Sequence, residues 1–215
     1  MPGYDLVESG PRANVGFMAE ALFTGGEIQG LIGQTYRERR DPAFADFQSQ
    51  QGTASDVVGR LTIKFPHLDF TDRVDVDHRD GALRRHEIYV TGTYGRSSLQ
   101  ISFVQLPAET LTLGLPKREE INLQTDVNFY ENWQAFAAVR RDLLGGQFLD
   151  SEYGLGYEDD CLAVSLAYRR RYTFDTTLGV PPSTSVILRL NLKTDGAPVQ
   201  PFSLFPQDVF STNRN

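Results

Sequence analysis

The sequence predicts an all-β chain: an antiparallel, up-and-down portion of a transmembrane β-barrel with about eleven strands. Three observations predict it. Apolar and polar residues alternate with period two along most of the chain, as they do in strands with two different faces. The alternating runs are roughly 9–11 residues long, the length a tilted strand needs to cross a bilayer, whereas soluble strands average about 5–6. Tight turns alternate with longer connections, the sorting of a barrel whose turns lie on one side of a membrane and whose loops lie on the other.

The first run covers 12–23, where Ala13, Val15, Phe17, Ala19 and Phe23 carry a period broken by Met18 and Leu22. Thr24-Gly25-Gly26-Glu27 leads to a second run over 28–39, and the long 41–55 segment to a third over 56–66. There Leu61, Ile63 and Phe65 alternate with Arg60, Thr62 and Lys64. A tight turn at His67 precedes 68–77, and His78–Leu83 connects it to 84–95. Arg96-Ser97 turns the chain into 98–106, and the long 107–118 connection leads to 119–129, the clearest strand. In it Ile121, Leu123, Val127 and Phe129 oppose Asn122, Gln124, Asp126 and Asn128. Glu131–Leu144 contains good helix formers, but Trp133, Ala135, Ala137 and Val139 alternate with Gln134, Ala138 and Arg140, Phe136 alone breaking the second face, so 133–143 is read as a strand. The last three runs cover 148–158, 161–173 and 184–194, the final two separated by a long loop with Pro181-Pro182. Aromatics near strand ends, among them Phe129, Tyr130, Trp133, Tyr157, Tyr168 and Tyr172, suit a membrane–water interface. Residues 1–196 therefore form the barrel portion, and 197–215, with Pro198, Pro201 and Pro206, an extended periplasmic tail.

Charge excludes one class of partner. There are 21 Lys+Arg against 28 Asp+Glu, a net charge of −7, and the short basic runs such as Arg169–Arg171 are far apart; nucleic-acid binding needs clustered positive charge. No run of about 20 apolar residues marks a transmembrane helix. The start, Met1-Pro-Gly-Tyr-Asp5, has neither a basic region nor an apolar core of a secretion signal. An exported barrel needs one, so the expectation is a piece of a longer polypeptide. About eleven strands is also odd, which predicts an open, strongly curved sheet rather than a closed barrel.

Chemistry-bearing patterns are sparse. His67, His78 and His86 lie in or near turns without ligand spacing, so no metal site is expected. Asp69, Asp72, Asp75 and Asp77 lack the spacing and central glycine of a calcium loop and are read as solvated or lumen-facing carboxylates. With no nucleophile elbow and no phosphate loop, neither enzymatic activity nor a cofactor is expected. The chain's single cysteine, Cys161, is an inert thiol, a reactive one, or the partner of a cysteine elsewhere.

From Tyr153 onward the residues resemble a known family. Tyr157-Glu-Asp-Asp-Cys161, the strand Leu162-Ala-Val-Ser-Leu-Ala-Tyr168-Arg-Arg-Arg-Tyr172, and Pro182-Ser-Thr-Ser-Val186-Ile-Leu-Arg-Leu-Asn-Leu-Lys-Thr194 resemble the closing strands of the LptD family of lipopolysaccharide-assembly proteins. Asp5-Leu-Val-Glu-Ser-Gly-Pro-Arg12, Asp56-Val-Val-Gly-Arg60, Arg84-Arg-His-Glu87, Arg118-Glu-Glu-Ile121 and Glu131-Asn-Trp133 leading to Val139-Arg-Arg-Asp142 extend the likeness over most of the chain. The resemblance implies the C-terminal part of a large barrel in the outer membrane of a Gram-negative bacterium, plugged by the lipoprotein LptE. Such a protein receives lipopolysaccharide from the periplasmic Lpt bridge through an N-terminal jellyroll domain and inserts it into the outer leaflet. It also implies that the terminal strand, with Val186, Leu188, Leu190 and Leu192, forms one edge of a lateral gate. Cys161 becomes a disulfide candidate toward a periplasmic N-terminal region, in an oxidising compartment. A lumen lined by Arg73, Asp75, Asn122, Gln124, Asp126, Arg169, Arg171, Arg189, Asn191 and Lys193 suits a charged sugar-phosphate head, while acyl tails stay in lipid. The competing expectations are a general porin-like or other outer-membrane barrel, and a soluble all-β binding module whose apolar residues face an internal core.

Overall fold

The computed structural model describes residues 10–38, 53–107, 117–173 and 181–192. They form one antiparallel sheet of 11 strands whose spatial order is the chain order. The strands are β1 (Arg12–Phe23), β2 (Gly26–Arg37), β3 (Val57–Phe65), β4 (Leu68–Val76), β5 (Leu83–Tyr94) and β6 (Ser97–Leu106). They continue with β7 (Arg118–Tyr130), β8 (Trp133–Asp142), β9 (Phe148–Glu158), β10 (Leu162–Arg171) and β11 (Ser183–Leu192). The sheet is not closed: β1 and β11 are its two edges. Residues Trp133–Asp142 are strand, so period two prevails there over helix propensity.

Short turns join β1 to β2, β3 to β4, β5 to β6, β7 to β8 and β9 to β10, all at one rim; the longer connections lie at the other. Two of the short turns rest on glycine. Gly25 and Gly95 have φ of 92° and 58°, a left-handed backbone that side chains with a Cβ adopt only at a cost. The tail from 197 onward lies outside the described residues.

Residues directly opposite one another on antiparallel strands share a face, so the register carries each face across the whole sheet. From Phe17 the row runs through Ile32 and Gly59 to Val74 and on to His86 and Gln105, and a parallel row joins Val90, Ile101, Leu123 and Val139 before ending on the buried Ser151. Leu155, Leu166 and Leu188 form another. This apolar face is the exposed one: Phe17 is 67% accessible, Leu166 54% and Leu188 68%. The opposite face carries Arg60, Arg73, Glu87, Asn122, Asp150, Glu152 and Arg169, and there Glu87, Asp150 and Glu152 are buried. A soluble fold has the reverse arrangement. Side chains crowd on the inside of a curved sheet, so the shielded polar face is the concave one.

The tightest packing is also on that concave side, at Phe136, Ala163 and Ala167, with Ile187 against them. Small residues are needed where the wall bends inward. The Phe136 ring occupies the space that a Cβ on Gly154 would fill, and Leu166 O lies 2.7 Å from that position. An aromatic lying over a glycine on the neighbouring strand covers the bare backbone. Gly154→Ala is therefore expected to destabilise the sheet by about 1–3 kcal/mol through overpacking. Urea unfolding in lipid vesicles measures it, and the cost should shrink when Phe136→Ala is made in the same chain.

Aromatic residues gather on the apolar face at the short-turn rim. Phe23 and Phe65 approach to 5.8 Å between ring centroids, and Trp133 meets Tyr157 edge-on at 5.2 Å. Tyr94 and Tyr130 stand exposed at the same level.

Candidate functional site: the concave polar face and its rim

The polar face is built by every second residue of consecutive strands, so its charges pair both across and along them. Lys64 donates to Glu27 on the neighbouring strand at 2.6 Å, while Arg118 to Glu120 at 2.6 Å and Arg85 to Glu87 pair two residues apart on one strand. Arg73 stands 3.8 Å from Glu87, and its guanidinium lies over the Tyr89 ring. Such pairs at accessible positions contribute roughly 0–1 kcal/mol each; their effect is to keep a dense set of charges of both signs on one wall.

The wall is densest at β8–β10, toward the long-loop rim. Arg169 grips Asp150 through two nitrogens, at 2.8 and 3.3 Å, and Asp150 is 1% exposed. Glu152 is equally buried, opposite Arg169 in register, with Arg189 3.9 Å away. Neither of its carboxylate oxygens accepts a hydrogen bond within the chain.

Arg73, Asp75, Asn122, Gln124, Asp126, Arg169, Arg171, Arg189 and Asn191 all fall on this polar face. Lys193 lies outside the described residues. Asp126 accepts weakly from Ser98, at 3.5 Å. Val186, Leu188, Leu190 and Leu192 fall on the apolar face of the edge strand β11, opposite Tyr168, Leu166, Val164 and Leu162. Cys161 is a free, exposed thiol in the short turn before β10, where its N–H donates to Asp159 Oδ1 at 2.9 Å.

One acidic residue departs from its expected side. Asp72 is opposite Leu61 and Ile88, so it is on the apolar face, out of step with Asp69 and Asp75. It does not stand alone there: His86 on β5 reaches its carboxylate at 3.0 Å, and the Phe103 ring abuts the imidazole at 5.7 Å.

A second polar group, missed by the sequence reading, forms at the long-loop rim. Val57 is opposite Val76, which brings Asp56 and Asp77 side by side just beyond β3 and β4. Like charges facing each other are destabilising, and two arginines compensate. Arg84 donates to Asp77 Oδ2 at 2.6 Å, and Arg79 reaches Oδ1 through its backbone N–H at 2.8 Å and its side chain at 3.3 Å. Those contacts, Arg84 first, hold the Asp77 carboxyl well below the usual carboxylate range. Burial, then the neighbouring Asp77 charge, pushes Asp56 the other way. The signal available in the sequence is that the runs 56–66 and 68–77 end on these two residues and the tight turn at His67 brings those ends together; their burial and their arginine partners need the structure.

No protein-family model matches the chain, and no curated protein matches it.

Proposed function

We propose that this chain is part of the wall of an outer-membrane β-barrel that moves lipopolysaccharide into the outer leaflet, its polar face lining the lumen. The observation that carries the reading is the inverted distribution of polarity: exposed apolar residues on one face, shielded charges on the other. With strands of nine to thirteen residues, that distribution suits a bilayer outside and water inside. The aromatic row at the short-turn rim suits a headgroup boundary.

Two further features support the transport step. The concave wall offers both cations and anions to a charged head, and β11 presents an unpaired edge whose apolar side chains suit acyl tails. The resemblance of the Tyr157–Thr194 region to the closing strands of LptD proteins points to the same cargo. On this reading the protein works with a plug lipoprotein and a periplasmic bridge, and Cys161 at the short-turn rim is positioned for the periplasmic side.

The test is photocrosslinking in cells with a benzoylphenylalanine placed at Asn191, at Leu190 or, as a control, at Leu99. Lipopolysaccharide adducts at Asn191 and Leu190, and none at Leu99, are the expected result. Absence of adducts at both positions, with ion conductance by the purified protein in planar bilayers, would overturn the cargo and leave a porin-like pore.

A further inference from the structure

We infer that Asp56, Asp77 and His78, at the long-loop rim between β3 and β4, form a binding site for a divalent transition-metal ion of the Zn2+ kind. The three side chains each bring a ligand atom to within 4.8 Å of the others. An acidic pair alone would not argue for an ion. The further observation is that Asp56 is 4% exposed while its Oδ2 is buried and accepts no hydrogen bond. A buried carboxylate oxygen without a partner is costly, and a cation is one of the few groups that removes the cost.

The surrounding charges agree. Among the described residues, Asp56, Asp75, Asp77 and Asp80 interact across this rim with Arg79, Arg84 and Arg85, so carboxylates outnumber guanidinium groups. Arg84 and Arg79 do not block Asp77. Each carboxylate oxygen has two acceptor directions, and a carboxylate ligand is commonly held by outer hydrogen-bond donors that fix its orientation. Arg79 does this for Asp77 Oδ1 through both its N–H and its side chain, and Arg84 takes one direction of Oδ2, which leaves the second direction of Oδ2 for the ion. The Asp77 backbone is itself pinned, its N–H donating to Ala82 O and its carbonyl accepting from Gly81. His78 is the exposed member of the set, its Nδ1 3.9 Å from Asp77 Oδ1, and it is the side chain able to swing inward.

The donor set selects the ion. Imidazole with carboxylates suits Zn2+ and its neighbours, whereas Ca2+ and Mg2+ prefer oxygen donors throughout. Two carboxylates and one imidazole leave one tetrahedral position for water. An ion there would tie the segment entering β3 to the β4–β5 loop, two parts of the chain joined at this rim by the strand register.

The experiment uses the untagged full chain folded in lipid vesicles, stripped with a chelator and titrated calorimetrically with Zn2+ alone. One site per chain is expected, with a rise in thermal midpoint on saturation. His78→Ala, an exposed change that leaves folding intact, and Asp56→Asn, which removes a buried charge, should each weaken binding at least as much as the roughly 10–100-fold that losing an outer-shell partner costs. His67→Ala, at the opposite rim, should bind as the wild type does. Failure of the wild type to bind Zn2+, or unchanged affinity in His78→Ala, overturns the site. Ca2+ or Mg2+ bound in preference to Zn2+ overturns the assignment of the ion.

Discussion

Leu123→Arg is expected to destabilise the folded sheet in a bilayer by about 2–4 kcal/mol, the cost of a cation at the midplane on a lipid-facing strand. Leu123 lies in the middle of β7, on the exposed apolar face, opposite Ile101 and Val139. Ser102→Arg is the paired control. Ser102 is one row away, opposite Asn122 on the polar face, where a long cation reaches water and neighbouring carboxylates. Urea unfolding in vesicles, followed by tryptophan fluorescence from Trp133, should show a large shift for Leu123→Arg and less than about 1 kcal/mol for Ser102→Arg. Equal effects at both positions would refute a bilayer on the apolar side. A water-soluble protein would give the opposite order of costs, because its shielded face would be the core.

Removing Arg84 should be the most damaging single change at the long-loop rim. Asp77 is 2% exposed and Arg84 is its closest cation, so Arg84→Ala leaves a buried carboxylate beside Asp56. Breaking such a pair by deleting one partner costs about 3–5 kcal/mol, and the remaining contact from Arg79 puts the expectation near the lower end. The effect has a pH signature in chelator-treated buffer. The folded pKa of Asp77 is depressed, so its pairing contributes fully above the unfolded carboxyl value of about 4 and is lost as pH falls below that. The gap between wild type and Arg84→Ala should therefore narrow in acid. Asp56 is shifted upward, so it acts in the other sense: its ionisation lowers stability as pH rises through its raised value. Asp56→Asn without metal should accordingly be neutral or stabilising at pH 7, as read from the urea midpoint.

Period two made the strands legible, because a strand with a lipid-like side and a water-like side writes both sides into alternate residues. Even the Glu131–Leu144 segment yielded to it. The differences arose at ends. Gly26 and Glu27 belong to β2, pairing with Phe23 and Leu22, because Gly25 in its left-handed conformation lets the turn close in two residues. Asp72, grouped with Asp69, Asp75 and Asp77 as solvated or lumen-facing, falls on the apolar face, because a spacing of three from Asp69 and Asp75 reverses the side in a strand, and its partner His86 is on another strand. The polar face was legible at Asn122, Gln124 and Asp126, within one strand. Its densest part was not, since Asp150, Glu152 and Arg169 meet only when β9 and β10 are in register.

The agreement between strand order and chain order also bears on how such a wall forms. Each strand pairs only with the strand before and after it, so every pairing closes one hairpin, and loop-closure entropy grows slowly with the length of each connection. Among the described strands no distant pairing has to wait for the rest. Folding can proceed like a zip, each new hairpin docking on the edge left by the last, with local contacts favouring speed. Every partly formed sheet then carries one open edge ready for the next strand, as β11 does in the finished one.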